Sequence, residues 1–247
     1  MTSTLRLWAR TVKHRTFAAM AVLFAGDFSY SKRKFLYHKL SFSQEGEDSL
    51  LLRILEYQQL GFYVDVGAHH PQRFSNTYLF YLCGWAGINI DPLPGSKAQF
   101  DSLRPRDINI ELGVSSEAGS MTYYAFDEPA FNTFNSEVAK TRTSKLLSKH
   151  IIAVQPLRDI LANHLPTETP IDFLSIDVEG LDLDVLRSND WNKFRPRYVL
   201  AESLCMPDIR HVQQTDLHAF MESVGYCFFA KTLNTLFFAD AIPRPLH

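Results

Sequence analysis

Four apolar runs in this chain each carry an acid at or near their end, and a turn and a helix-type pattern follow most of them. They are FYVDV (Phe62–Val66, with Asp65), AGINID (ending at Asp91), IDFLSID (ending at Asp177) and RYVLAES (with Glu202). Runs this short and this apolar read as strands buried on both faces. Strands that alternate with helices imply an α/β fold: a mostly parallel sheet with helices on both faces. Ligands of such sheets bind beyond the carboxyl ends of the strands, where strand order reverses. Asp65, Asp91, Gly113, Asp177 and Glu202 all fall at expected strand ends, so they are the residues to weigh.

The rest of the pattern agrees. Helices are expected over Glu45–Gln59, over PQRFSNTYLFYLCG up to Gly84, over PGSKAQFDSL, PLRDILANHL, LDLDVLRS and TDLHAFMESVG. DINIELGV reads as one further strand, SMTYYAF and IIAV as two more, and YCFFAKTLNTLFFAD as a terminal hairpin that adds an antiparallel strand. There are no repeats and no low-complexity tract.

Charge divides the chain. Residues 1–40 hold eight Lys/Arg against one acid, Asp27, so the other 207 residues carry −9 of the overall −2. This predicts a basic arm at 1–40 and one domain at 41–247. An acidic body with a basic arm is not the profile of a nucleic-acid binder. FAAMAVLFA (Phe17–Ala25) is too short to span a bilayer. The arm is read as an amphipathic helix that packs on the body or rests peripherally on an anionic membrane, with a signal-peptide core as the other option. Homo-oligomerisation through the arm is equally open. Cys83, Cys205 and Cys227 lack metal or redox spacing, which implies core packing in a reducing, cytoplasmic setting.

The turn after the first strand is DVGAHHPQ, with one glycine, Gly67. A dinucleotide site needs further glycines where the backbone approaches the pyrophosphate. Ala68 and His69 stand there instead, so a ligand without phosphates suits the turn better. S-adenosylmethionine is such a ligand. Asp65 would order the turn or meet the ligand's ammonium through water, and Asp91 would accept hydrogen bonds from two ribose hydroxyls.

SQEGED, FYVDVGAHHP, FSNTY, GWAGINIDP, ELGVS and DFLSIDVEGLDLDVL together resemble the FkbM-type family of S-adenosylmethionine-dependent methyltransferases, over about residues 41–240. The resemblance implies the class I methyltransferase fold, a Rossmann-like sheet of seven strands with the last antiparallel. It also implies O-methylation of sugars or natural products, often in surface-polysaccharide pathways. Carried over by motif, the cofactor shell is Asp65, Gly67, Ala68, Asp91, Gly113, Val114 and Asp177. Gln44 and Glu47 would close over it, and Ser75 and Asn76 could reach the same crevice.

Methyl transfer to a hydroxyl needs a general base, or a metal ion that lowers the hydroxyl's pKa. Asp177 and Glu179 lie two apart in extended chain, and Glu202 ends the next expected strand. This cluster is read either as a base or as a site for Mg²⁺ or a similar cation, held by Asp177, Glu179 and Glu202. His69 and His70 are the other candidate bases, with His70 as the alternative catalytic residue. Asp127–His150 reads as a polar lid, with Asn132, Phe131 and Phe134 on the acceptor side. Its Lys140, Arg142, Lys145 and Lys149 suit an anionic saccharide acceptor. Two other functions stay open: a natural-product methyltransferase, and a non-catalytic module that keeps the fold.

Overall fold

The computed structural model describes residues 39–55, 58–203 and 208–242. The arm assigned to residues 1–40 therefore lies almost wholly outside the described residues, as does Cys205. Ten strands lie among the described residues. They are β1 (Phe62–Val66), β2 (Ala86–Asp91), β3 (Ile108–Glu111), β4 (Gly113–Val114), β5 (Gly119–Phe126), β6 (Leu146–Gln155), β7 (Phe173–Ile176), β8 (Tyr198–Glu202), β9 (Tyr226–Lys231) and β10 (Thr235–Asp240). The α-helices among them are α1 (Glu47–Ile54), α2 (Tyr78–Leu82), α3 (Ser96–Leu103), α4 (Ser136–Thr141), α5 (Leu157–His164), α6 (Asp182–Arg187) and α7 (Asp216–Ser223).

Seven strands form the main sheet in the order β3-β2-β1-β7-β8-β10-β9. Neighbours from β3 to β8 are parallel, and β10 runs antiparallel to both β8 and β9. This is the expected sheet, with its terminal hairpin. Side chains alternate across it. Val64, Ile88, Leu174, Val199 and Phe238 point to one face, against Ile160 and Leu161 of α5, Val185 of α6 and Met221 of α7. Tyr63, Phe173, Leu200 and Phe237 point to the other, against Leu51 of α1 and Phe80 of α2. Both faces are covered, which is why the central strands are apolar throughout rather than alternating.

Four details differ from the sequence reading. DINIELGV is two strands, not one. After β3 the chain breaks at Leu112, whose N–H donates to the Asp91 carbonyl, and Gly113–Val114 joins a separate sheet ordered β4-β6-β5. A Cβ on Gly113 would lie 2.7 Å from Phe134 and 2.8 Å from Val154, so the crossing needs a glycine. The helix expected from Pro71 starts only at Tyr78, because the chain before it forms a turn over the ends of the strands. Residues 127–150 are not a loose lid. They form a 3₁₀ turn (Pro129–Phe131), α4, and the first half of β6, which pairs with β5. Finally, Cys83 is half-buried and packs against the edge of the core, as expected, but Cys227 is exposed.

Among the described residues no helix is long and apolar enough to cross a membrane.

Candidate active site

Strand order reverses between β1 and β7, so the crevice opens there, at the carboxyl ends. The N–H groups of Gly67 and Ala68 both donate to the Ile90 carbonyl at 2.9 and 3.1 Å, and the Asp177 N–H donates to the Val66 carbonyl at 3.0 Å. Three strands thus meet at one turn. Gly67 has φ of +77°, and a Cβ there would lie 1.8 Å from the Asp177 carbonyl oxygen.

Asp91 sits at the next strand end and is 5% exposed. Its Oδ2 accepts the His69 N–H at 2.8 Å and its Oδ1 the Leu93 N–H at 2.9 Å. Each oxygen retains a second lone pair, so the carboxylate can still accept from two hydroxyls. Burial pushes its pKa up to about 7, against the two backbone donors that lower it. Asp65 is as deeply placed. Its Oδ2 accepts the Thr77 hydroxyl at 2.7 Å, and burial raises it to about 6.

Asp177 and Glu179 line the crevice, and Glu202 meets them, with one oxygen from each of the three within 4.8 Å of the others. Burial raises both Asp177 and Glu202; the Asp177, Glu179 and Asp182 charges raise Glu202 further, to about 11, while the hydrogen bond with Glu202 lowers Asp177. Asp177 is exposed by area yet lies deep among protein groups. Surrounding protein groups desolvate it and raise its pKa, and the Glu47 and Glu45 charges add to the shift. Glu179 is raised to about 7 by burial and then by Asp177, and Arg142 opposes the shift. Arg142 pairs with Glu179 while lying 4.8 Å over the Phe131 ring. The Thr133 hydroxyl donates to the Glu179 carbonyl at 3.0 Å. Asp182, not singled out in the sequence, accepts the Glu202 N–H at 3.2 Å and so ties the end of β8 to α6.

Backbone strain marks the same place. Of the four non-glycine residues with φ between +54° and +59° among the described residues, His69, Phe74 and Glu179 line the crevice; the fourth, Glu168, does not. Left-handed conformations at residues other than glycine concentrate at functional sites.

Gln44, Ala68, Asn76 and Val114 also line the crevice, with Gly113 directly behind Val114. Asn76 Nδ2 donates to Ser175 Oγ at 3.0 Å. Asn132 and Phe134 line it as well, together with Tyr123, whose only sequence signal is its alternation along SMTYYAF. Glu47 does not reach the crevice. Its carboxylate accepts the Thr232 and Thr235 hydroxyls, both at 3.1 Å, and so clamps α1 to the β9–β10 hairpin. Ser75 lies behind the crevice wall, beside Arg104.

His70 is a correction. Its Nδ1 accepts the Gln72 and Arg73 N–H groups, each at 3.0 Å, so the neutral ring carries its proton on Nε2 and has no free basic nitrogen. The imidazole in the crevice is His69, whose Nε2 is buried without a partner and whose pKa burial lowers to about 4. The expected cations are largely engaged: Lys140 pairs with Glu137, Arg142 with Glu179, and Lys149 lies over Tyr124 at 5.1 Å. Arg142 is the one that reaches the carboxylates.

Asp91 and Glu179, both raised to about 7, predict a pH effect. The folded pKa exceeds the unfolded one, so the stability these groups contribute is present at low pH and lost as pH rises through 7. His69 works the other way, because its folded pKa is depressed and it penalises the fold below about 6.5. Free protein is expected to gain stability between pH 8 and pH 6.5, on the order of 1 kcal/mol from Asp91 and Glu179 net of His69, and more from Glu202, which is raised further. A urea titration at the two pH values checks this. Stability that falls over this interval would contradict the assignment of those two groups.

The strand order, with its crevice at the β1/β7 switch and acids at four strand ends, is that of a Rossmann-like methyltransferase. The family model described as Methyltransferase FkbM domain matches residues 65–228. That is more than half of the chain, and the chain belongs to this family. No curated protein matches the chain significantly.

Proposed function

We propose that this protein transfers a methyl group from S-adenosylmethionine to a hydroxyl of a saccharide or glycan precursor. The observation that carries the reading is one crevice with two functional ends. Asp91 stands at one end with spare acceptor capacity, and Asp177 and Glu179 stand at the other, met by Glu202.

The residues suit that cofactor. Asp91 can take both ribose hydroxyls while its backbone donors hold it still. Val114 and Leu112 offer an apolar wall for a base, and Asp65 and Asp177 offer negative charge to a cationic amino-acid and sulfonium end. The single-glycine turn leaves no cradle for a pyrophosphate.

S-adenosylmethionine supplies, when bound, a methyl group already activated on a sulfonium. The protein's part is to orient the acceptor and take its proton. Glu179 is the group for this, because a base works best with a pKa near the working pH, and its own lies about there. Glu179 would take the hydroxyl proton as the methyl carbon's bond to sulfur gives way to its bond to the acceptor oxygen, leaving S-adenosylhomocysteine, with Arg142 paired to the carboxylate. The saccharide rests on the family resemblance and the hydroxyl on the base.

The same three carboxylates have the oxygen donors that a hard cation such as Mg²⁺ takes. One feature favours the proton reading: Arg142 already pairs with Glu179.

Calorimetric titration with S-adenosylhomocysteine, with and without Mg²⁺, tests the proposal. Micromolar binding is expected in wild type, weakened by roughly 100-fold or more in Asp91→Ala, which loses two hydrogen bonds to a charged group. Asp91→Asn keeps one acceptor for the turn and separates lost contacts from a collapsed loop. Wild-type protein that binds nothing would sink the reading, and Mg²⁺-dependent binding would restore the cation.

A further inference from the structure

Behind the crevice lies a buried polar knot that no part of the reaction scheme uses. Arg104, just past the end of α3, is 0% exposed. Its Nε donates to Asp107 Oδ2 at 2.8 Å. Its Nη2 donates to the Tyr63 hydroxyl at 2.8 Å and to Thr77 Oγ1 at 3.0 Å. Tyr63 in turn donates to Asp107, at 2.9 and 2.8 Å to its two oxygens.

Proton bookkeeping gives this knot a direction. A guanidinium only donates. Thr77 Oγ1 therefore accepts from Arg104, and its own single proton must go elsewhere. Ser75 Oγ, 3.2 Å away, already accepts the Tyr78 N–H at 3.1 Å and an Arg104 N–H at 3.4 Å, so its free proton points back toward Thr77. The remaining partner is Asp65 Oδ2 at 2.7 Å. No other donor meets Asp65 among the described residues. The buried cation thus orients a hydroxyl, and the hydroxyl donates to Asp65, one of the acids that line the crevice.

We propose that Thr77 and Arg104 are positioning residues of the cofactor site: Arg104 fixes the direction of the Thr77 hydroxyl, and that hydroxyl holds Asp65 unprotonated and aimed at the ammonium end of the cofactor. The inference rests on the cofactor reading above.

Asp65 needs this help. Burial alone drives it toward the neutral form, and Asp177, Asp107 and Asp91 add negative charge around it. Only Thr77 and Arg104 act the other way. Without them a neutral Asp65 would meet a cation with no charge to offer.

The test has two arms. In ligand-free protein, the Asp65 carboxyl is titrated by ¹³C NMR in wild type, Thr77→Val and Thr77→Ser. Thr77→Val removes the donor at nearly constant volume and is expected to move the Asp65 midpoint upward, and Thr77→Ser to restore it. In parallel, S-adenosylhomocysteine is titrated calorimetrically from pH 5 to pH 8. Wild-type affinity is expected to fall in two steps as pH drops, near 7 as Asp91 takes a proton and near 6 as Asp65 does, and Thr77→Val is expected to move only the second. Thr77→Val is expected to bind roughly tenfold more weakly at pH 7, with its pH midpoint raised. Arg104→Lys, which keeps the charge but not the fork, is expected to fall between the two. A folded Thr77→Val protein with wild-type Asp65 midpoint and wild-type affinity overturns the proposal. Wild-type protein that binds no S-adenosylhomocysteine at any pH overturns the cofactor reading itself, a result the binding arm shows before any variant is compared.

Discussion

Gly67→Ala is expected to cost about 3 kcal/mol or more of folding stability and to abolish cofactor binding. Two effects add. The residue holds φ of +77°, where any side chain is strained by about 1–2 kcal/mol. The new Cβ would also fall 1.8 Å from the Asp177 carbonyl oxygen and 2.8 Å from its carbon. Those are backbone atoms of the neighbouring segment, and the Asp177 N–H is itself bonded to Val66. Nothing there can rotate away, so β1 and β7 would have to part at their carboxyl ends. Gly95→Ala is the control. Gly95 has φ of +90° but open space around a Cβ, so it bears the strain without the clash. Urea unfolding of both variants reads the difference. Equal losses would mean that the close approach of β1 and β7 is not what Gly67 permits.

Glu179→Gln is expected to lower turnover by roughly 10²- to 10⁴-fold while leaving S-adenosylhomocysteine affinity within a few-fold. The amide keeps the shape and can still accept from Arg142, so the change removes basicity and little else. The wild-type rate should rise with pH through about 7, where Glu179 loses its proton, and the variant's residual rate should lack that step. Release of S-adenosylhomocysteine with a panel of neutral and uronate saccharides gives the measurement. A variant that keeps more than a tenth of the wild-type rate would move the base to Asp177, and Asp177→Asn would then be compared in the same assay. Strain supports Glu179: its φ of +54° is held by Thr133 on its carbonyl and Arg142 on its carboxylate. Both partners come from the segment between β5 and β6, so the supplementary sheet helps to build the catalytic end.

How much of this was legible beforehand depended on the range of each interaction. The strand-end acids Asp65 and Asp91 were readable because a strand's burial and its end are local facts of sequence. Gly67 was readable as a turn, though not as the point where Asp177 presses against it. His69 and His70 are neighbours with the same chemistry, and no pattern separates them. Only the turn shows that one ring caps backbone N–H groups while the other faces the crevice. The polar segment after β5 looked like a lid because its Lys and Ser residues mask a strand. β6 is solvent-facing for much of its length and gives a weak apolar signal.

The polar knot was beyond reach for a clearer reason. Arg104 and Asp107 sit in RPRD, a charged stretch at a helix end that reads as surface. Their partners Tyr63 and Thr77 lie 41 and 27 residues from Arg104. A buried ion pair has no local signature, because the groups that repay its desolvation are brought together only by packing.

By itself the sequence determined the strand–helix alternation, the parallel sheet with its terminal hairpin, and the row of acids along one edge, since these follow from periodicity and side-chain type. The tertiary structure alone decided which acids meet, which histidine enters the crevice, and which arginine is paired with the candidate base. Those outcomes depend on distances between segments far apart in the chain. Over those distances, burial and charge act on the folded protein and leave no trace in local pattern.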